Sequence, residues 1–210
     1  MVPVVRPTKG IRAGAVVLAG GRASRMAGVD KLGADVAGMS VLARVLRACE
    51  GVPVVLVGPP GLAADFPGTT VVQEDPSFGG PVAGVRAGVS GLHTDCDRVL
   101  LLAGDAPFLT PAALQRLLER LESSGADAAL YADATGQEQY LCAAWRRLAL
   151  TRALGAAGNS MRSVYAGARL AVLPDTEEAT TDVDTMADLD AARARARAQG
   201  PGCDDSGAGK

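Results

Sequence analysis

A short apolar run, Ala15-Val16-Val17-Leu18-Ala19, that breaks into two consecutive glycines is the feature that most limits what this chain can become. The run is too brief for a helix, carries β-branched residues and shows no polar alternation, so it reads as a strand buried on both faces. A strand of that kind belongs inside a sheet with helices on either side. Gly20 and Gly21 have no Cβ, so the backbone after the strand can turn sharply and bring its N–H groups against a ligand. Arg22, Arg25 and Lys31 follow, with Asp30 as the one acid among them, which gathers backbone donors and positive charge around one place. Such a place suits a polyphosphate, although a plain tight turn beside a solvated basic loop has the same composition. It is not a Walker A loop, because the Gly-Lys-Ser/Thr ending is absent, and no third glycine opens a helix as the Rossmann fingerprint requires.

The rest of the chain repeats the strand-then-helix rhythm. Ser40 is placed to cap a helix running to Ala48, and a strand over 54–57 ends in Gly58-Pro59-Pro60-Gly61. Val71 and Val72 form a short strand whose end is marked by Gln73-Glu74-Asp75-Pro76, and Gly79-Gly80-Pro81-Val82-Ala83-Gly84 then leads into a small-residue helix over 85–89. Small residues there let something flat approach the helix, or simply let the helix lie close to the sheet. The clearest buried strand, over 98–103, runs straight into Gly104-Asp105-Ala106-Pro107. A carboxylate in that position either caps a turn or stands at the strand's carboxyl edge, where ligands collect in open parallel sheets. Thr110 and Pro111 open a helix to Leu121, stopped by Ser123-Ser124-Gly125. Strands over 128–131, 139–145 and 169–173, a helix over 148–154 and a short helix within 158–167 follow. Tyr140 heads the second of those strands, either as a core residue or at a ligand's edge, and the basic short helix offers an anion site or an ordinary amphipathic turn. Thr185 caps a last helix over 186–198 whose arginines read as a solvated face.

Alternation of this kind predicts a parallel sheet covered on both faces and joined by right-handed crossovers. The loops after Ala19, Val72 and Ala103 then share one rim and one cleft. The 210 residues suffice for one such domain over 13–198, with a loosely ordered lead-in over 1–12, where Pro3 and Pro7 oppose regular structure, and a disordered tail over 199–210. Hydrophobic residues make up 48% of the chain but aromatics only 3%, so Ala, Val and Leu must build the core. A net charge of −2 without a massed basic run argues against nucleic acid as a partner. With neither a signal-peptide core nor a bilayer-length apolar stretch, the chain reads as cytoplasmic and without a membrane partner. Cys49, Cys96, Cys142 and Cys203 are widely spaced and His93 stands alone in a polar loop, so neither a zinc site nor a disulfide framework is expected.

Leu18, Ala19, Gly20, Gly21, Ser24, Arg25, Met26, Gly28, Asp30 and Lys31 together resemble the signature loop of the nucleotidyltransferases that make sugar nucleotides, cytidyl alcohols and dinucleotide molybdenum cofactors. The Gly-Gly form is most similar to that of the molybdenum cofactor guanylyltransferases, with Ala27 departing where glycine is common. Gly80-Pro81-x-Ala83-Gly84 looks like that family's base-binding segment, and Gly104-Asp105-x-Pro107 looks like its metal-holding turn. The stretch over 181–189 resembles its D-x-N-T-P-E-D-L ending, with Asp184 in place of asparagine and Met186 in place of proline. The resemblance implies a Rossmann-like three-layer α/β sandwich with a mostly parallel central sheet, of the nucleotide-diphospho-sugar transferase type. It implies transfer of GMP from GTP to molybdopterin carrying molybdenum, with Arg25, Lys31 and Asp105 catalytic. Leu18, Ala19, Gly20, Gly21, Asp75, Gly80, Pro81 and Gly84 would line the nucleotide site, and Asp105 with Asp184 would hold Mg²⁺. A labile product would pass to a molybdoenzyme apoprotein or its chaperone. Cytidylyl transfer, guanylyl transfer to another phosphorylated small molecule, and a non-catalytic nucleotide-binding module are the alternatives.

Overall fold

The computed structural model describes residues 4–5, 12–20, 25–26, 29–77 and 79–199, with the backbone alone at 25, 26 and 29. In chain order the elements are β1 (Ala13–Leu18), β2 (Arg25–Met26), β3 (Val29–Asp30), β4 (Asp35–Val36), β5 (Met39–Ser40), α1 (Val41–Ala48), β6 (Val54–Val57), α2 (Leu62–Asp65) and β7 (Thr70–Val72). They continue with α3 (Pro81–Gly91), β8 (Arg98–Ala103), α4 (Pro111–Ser124), β9 (Ala128–Ala132), β10 (Glu138–Arg146), α5 (Arg147–Ala156), α6 (Met161–Tyr165), β11 (Leu170–Pro174) and α7 (Met186–Ala198). Seven strands form one sheet in the order β11-β9-β10-β8-β1-β6-β7.

Successive strand side chains point to opposite faces, and each face buries its own set. Ala15, Val17, Leu100 and Leu102 meet Leu42 and Val45 of α1 and the leucine stripe of α4 on one side. Val16, Val99, Leu101 and Trp145 meet α3, α5 and α6 on the other. Ala15, Val16 and Val17 are 0% exposed, as a run buried on both faces requires. The helix starts follow from their caps. Ser40 Oγ accepts the Ala43 N–H at 3.2 Å, Thr110 Oγ1 accepts that of Ala113 at 3.1 Å, and Thr185 shares a capping box with Asp188.

β10 runs antiparallel to both β8 and β9, so the sheet is mostly parallel, as the resemblance implies. Two expectations need correction. Within the expected loose lead-in, Val5 is 2% exposed and donates its N–H to the Glu50 carbonyl at 3.0 Å, so the chain is anchored to the core at that residue. The arginines of α7 are not simply solvated. Arg193 donates to the Asp35 carbonyl at 3.0 Å and Arg195 to the carbonyls of Glu177 and Glu178, with its guanidinium 3.9 Å from the Phe108 ring centre. These bonds fix α7 over a third small core that contains Val36, Phe108, Val183 and Leu189. The tail over 200–210, with Cys203, lies outside the described residues. No helix among the described residues is long and apolar enough to cross a membrane.

Candidate active site

The chain leaves β1 for β6 and β7 on one side and then returns to β8 on the other, so a crevice opens at the carboxyl ends of β1 and β8. The loops beyond those strands continue the ladder. Ala19 donates to the Val57 carbonyl at 2.7 Å, Gly58 to that of Val72 at 2.9 Å and Gly104 to that of Leu18 at 2.9 Å. A Cβ at Gly104 would lie 2.8 Å from the Leu18 carbonyl oxygen, nearer than such atoms approach, so glycine is what lets the β8 loop close on the end of β1. The carboxyl ends of β1, β7 and β8, from which the three loops leave, therefore lie on one rim.

Lys31 ends this convergence. Its Nζ lies 2.6 Å from Asp105 Oδ2 and 2.6 Å from Asp184 Oδ1, and its side chain is only 4% exposed. Burial works against the ammonium, but the hydrogen bonds it donates to the two carboxylates outweigh that and the pKa is raised, so Lys31 stays charged. Main-chain bonds place both acids. The Val183 N–H donates to the Asp105 carbonyl at 3.0 Å, and the N–H groups of Asp184 and Thr185 donate to Asp188 Oδ2. Asp182 belongs to the same group. Desolvation, and then repulsion from Asp184 and Asp105, push its carboxyl above the usual range.

Two carboxylate oxygens from separate loops thus converge on one point. Hard oxygen donors of this number suit Mg²⁺, which keeps several waters and completes its shell with substrate phosphates. No three His, Cys, Asp or Glu side chains among the described residues gather as a metal site, so the ion would draw the rest of its ligands from solvent and substrate.

Beside Asp105 a cavity of about 350 Å³ is lined by Ala106, Gln139, Tyr140, Met161, Thr180 and Asp182 among others. Its wall is braced. The Tyr140 hydroxyl donates to Glu138 at 2.9 Å, its ring centre lies 4.7 Å from that of Tyr165, and the Tyr165 hydroxyl donates to the Tyr140 carbonyl at 2.7 Å. Tyr140 is therefore both a packed residue and a rim residue. Thr180 was not singled out in the sequence, and Asp182 stood there only as part of the family-like ending over 181–189. A second cavity of about 780 Å³ opens between the start of α1 and α2, lined by Ala19, Leu32, Ser40, Pro59 and Phe66 among others.

Of the expected site residues, Leu18, Ala19 and Gly20 stand at the end of β1. Gly21 lies outside the described residues, and Arg25 is described only as backbone of β2. Asp75 is exposed beyond β7, two strands out from β1 on the same rim. Gly80, with φ 86°, leads into α3, which opens on Pro81. Gly84 is buried, and a Cβ there would meet Leu18 at 3.3 Å and Val57 at 3.5 Å, so at this position close helix-to-sheet packing accounts for the glycine. The short α6 is closed by its own Ser160, which accepts the Ser163 N–H at 3.3 Å, so the ordinary turn describes it.

A mostly parallel α/β sheet with a switch-point crevice, Gly20 following β1 and a carboxylate turn after β8 defines an α/β protein of the three-layer type. Residues 15–174 match the family model described as "MobA-like NTP transferase domain", and the chain belongs to that family. A molybdenum cofactor guanylyltransferase from Acidiphilium cryptum is 33% identical over 191 residues, covering 86% of this chain and 93% of the relative. One from Nitrobacter hamburgensis is 37% identical over 120 residues, covering 54% of this chain, and there the match spans only about half (55%) of the relative's length. The crystal structure of molybdopterin-guanine dinucleotide biosynthesis protein A from Archaeoglobus fulgidus superposes with a TM-score of 0.71 at 21% identity, covering 88% of this chain and 99% of that one. This last likeness establishes the shared fold.

Proposed function

We propose that the protein transfers GMP from GTP to the terminal phosphate of molybdopterin carrying molybdenum, giving the guanine dinucleotide cofactor and pyrophosphate. The observation that carries the proposal is the meeting of Lys31, Asp105 and Asp184 at the switch point, beside a cavity large enough for part of an acceptor.

In this reading the main-chain N–H groups of Gly20 and Gly21, with Arg25 and Lys31 and with Leu18 and Ala19 beside them, hold the triphosphate and offset the charge that grows on the leaving pyrophosphate. Asp75 with Gly80 and Pro81 receives the nucleoside, where a carboxylate can accept the guanine N1–H and N2–H pair or a ribose hydroxyl. Asp105 and Asp184 would hold Mg²⁺, which when bound screens the phosphate charges from one another. The wall of Gln139, Tyr140 and Asp182 orients the acceptor so that its phosphate faces the α-phosphorus in line. That phosphate is ionised near neutral pH, so no general base is needed and positioning with electrostatics carries the rate. Hand-over to a molybdoenzyme apoprotein or its chaperone would follow.

Pyrophosphate release measured with GTP and with CTP, each with and without molybdopterin, tests the proposal. Release is expected only with GTP and molybdopterin together. Release with CTP, or only with a sugar phosphate or phospholactate, would reassign the substrates. GTP binding that never yields pyrophosphate would make the protein a binding module.

A further inference from the structure

We propose that Lys31 is a resident stand-in for the divalent cation: its ammonium occupies the point between Asp105 and Asp184 until a metal ion displaces it, and that displacement frees Lys31 for the phosphates. The inference rests on the reading of this crevice as a metal and triphosphate site.

Among the described residues Lys31 is the one buried basic side chain, and its nitrogen makes two equal 2.6 Å contacts to acids from different loops. Those acids do not need Lys31 for their placement, because Val183 and the Thr185–Asp188 capping box hold their main chain. The backbone beside Lys31 is equally fixed. Leu32 is buried, donates its N–H to Asp30 at 3.1 Å and accepts that of Leu42 at 3.0 Å. What can move is the four-carbon stem. A compact ammonium on a flexible stem can take an ion's place and leave it, which the planar guanidinium fork does poorly. The chain is sparing with this side chain, since only Lys9, Lys31 and Lys210 among its 21 basic residues are lysines.

Charge balance makes the two occupants exclusive. Two carboxylates and one ammonium leave a single negative charge, whereas a divalent ion neutralises both acids and then repels the ammonium beside it. Lysine that is seated about nine-tenths of the time weakens metal binding about tenfold, by the fraction of molecules whose site is open. Anything that draws Lys31 away, a triphosphate above all, therefore tightens the metal, and the metal in turn makes Lys31 available.

The test uses the full chain without nucleotide. Titration calorimetry with Mg²⁺ should show Lys31→Met binding about tenfold more tightly than the wild type. In parallel, acetylation followed by mass spectrometry should show Lys31 resistant in the free protein and several-fold more reactive at saturating Mg²⁺, with Lys9 and Lys210 as internal references. Equal or weaker metal binding by Lys31→Met, no binding by either protein, or a Lys31 reactivity unmoved by saturating Mg²⁺ would each overturn the proposal. Should Lys31→Met fail to fold, the wild-type acetylation decides alone. Neither readout involves GTP or an acceptor, so failure to release pyrophosphate would overturn the guanylyltransferase reading without touching this one.

Discussion

Replacing Gly104 by alanine probes the close approach on which the crevice depends. The added methyl would lie 2.8 Å from the Leu18 carbonyl oxygen, 3.3 Å from Leu42 Cδ1 and 3.4 Å from Ala19 Cα. The leucine tip can swing aside, but the other two atoms are main chain at the carboxyl end of the central strand β1. Relief requires opening the 2.9 Å bond from the Gly104 N–H to that same carbonyl. A lost hydrogen bond costs about 1 kcal/mol and overpacking about 1–3 kcal/mol, so roughly 2–4 kcal/mol is expected. In a domain of this size each kcal/mol moves Tm by about 2–4 °C, so Tm should fall by roughly 4–16 °C. Asp105 is the next residue, and a displacement of about 1 Å at a catalytic group can lower turnover by about 10²-fold. Thermal unfolding by circular dichroism and pyrophosphate release well below both midpoints would measure the two effects. Gly155→Ala is the control, since a Cβ there meets nothing within 4 Å and α5 should gain about 0.5 kcal/mol. A Gly104→Ala protein with Tm within about 2 °C of the wild type and normal turnover would refute the reasoning.

Arg147 donates to the carbonyls of Val89, Leu92, His93 and Cys96, closing the carboxyl end of α3. Arg147→Ala should therefore destabilise by about 1.5–3 kcal/mol in urea unfolding, with Lys restoring only part of the loss; an unchanged midpoint would contradict this. Burial pushes the Cys49 thiol up to about 12 and raises those of Cys96 and Cys142. The folded protein thus keeps protons that unfolded thiols release near about 8.5, and stability falls as pH climbs from there toward 12. The native protein should resist thiol reagents at pH 8 at Cys49, Cys96 and Cys142 until it unfolds, and rapid labelling of Cys49 in the folded state would count against its burial.

Much of the architecture could be read before the structure because local chemistry dictates it. Ser40, Thr110 and Thr185 begin helices wherever a side-chain oxygen can take an orphan N–H, and the apolar run before Gly20 has no use except as a central strand. Strand direction was not in the periodicity, which is the same for either sense. The hint lay in connection length, because the short polar stretch before β10 is too brief for a parallel crossover and suits a hairpin. Long-range partners were harder still. Lys31 reads as a loop cation until Asp184, 153 residues away, is brought beside it. Arg193 and Arg195 read as solvated because their acceptors are main-chain carbonyls, which leave no mark on a sequence. Gly84 carried two readings, and its neighbours Leu18 and Val57 decide for packing.

The measurement that bears most directly on the central claim is pyrophosphate release by Asp105→Asn with saturating GTP, Mg²⁺ and molybdopterin. The substitution keeps the shape of the side chain and removes the charge on which Lys31 and a metal both depend. Turnover should fall by about 10²-fold or more while GTP still binds. Turnover equal to that of the wild type would contradict it.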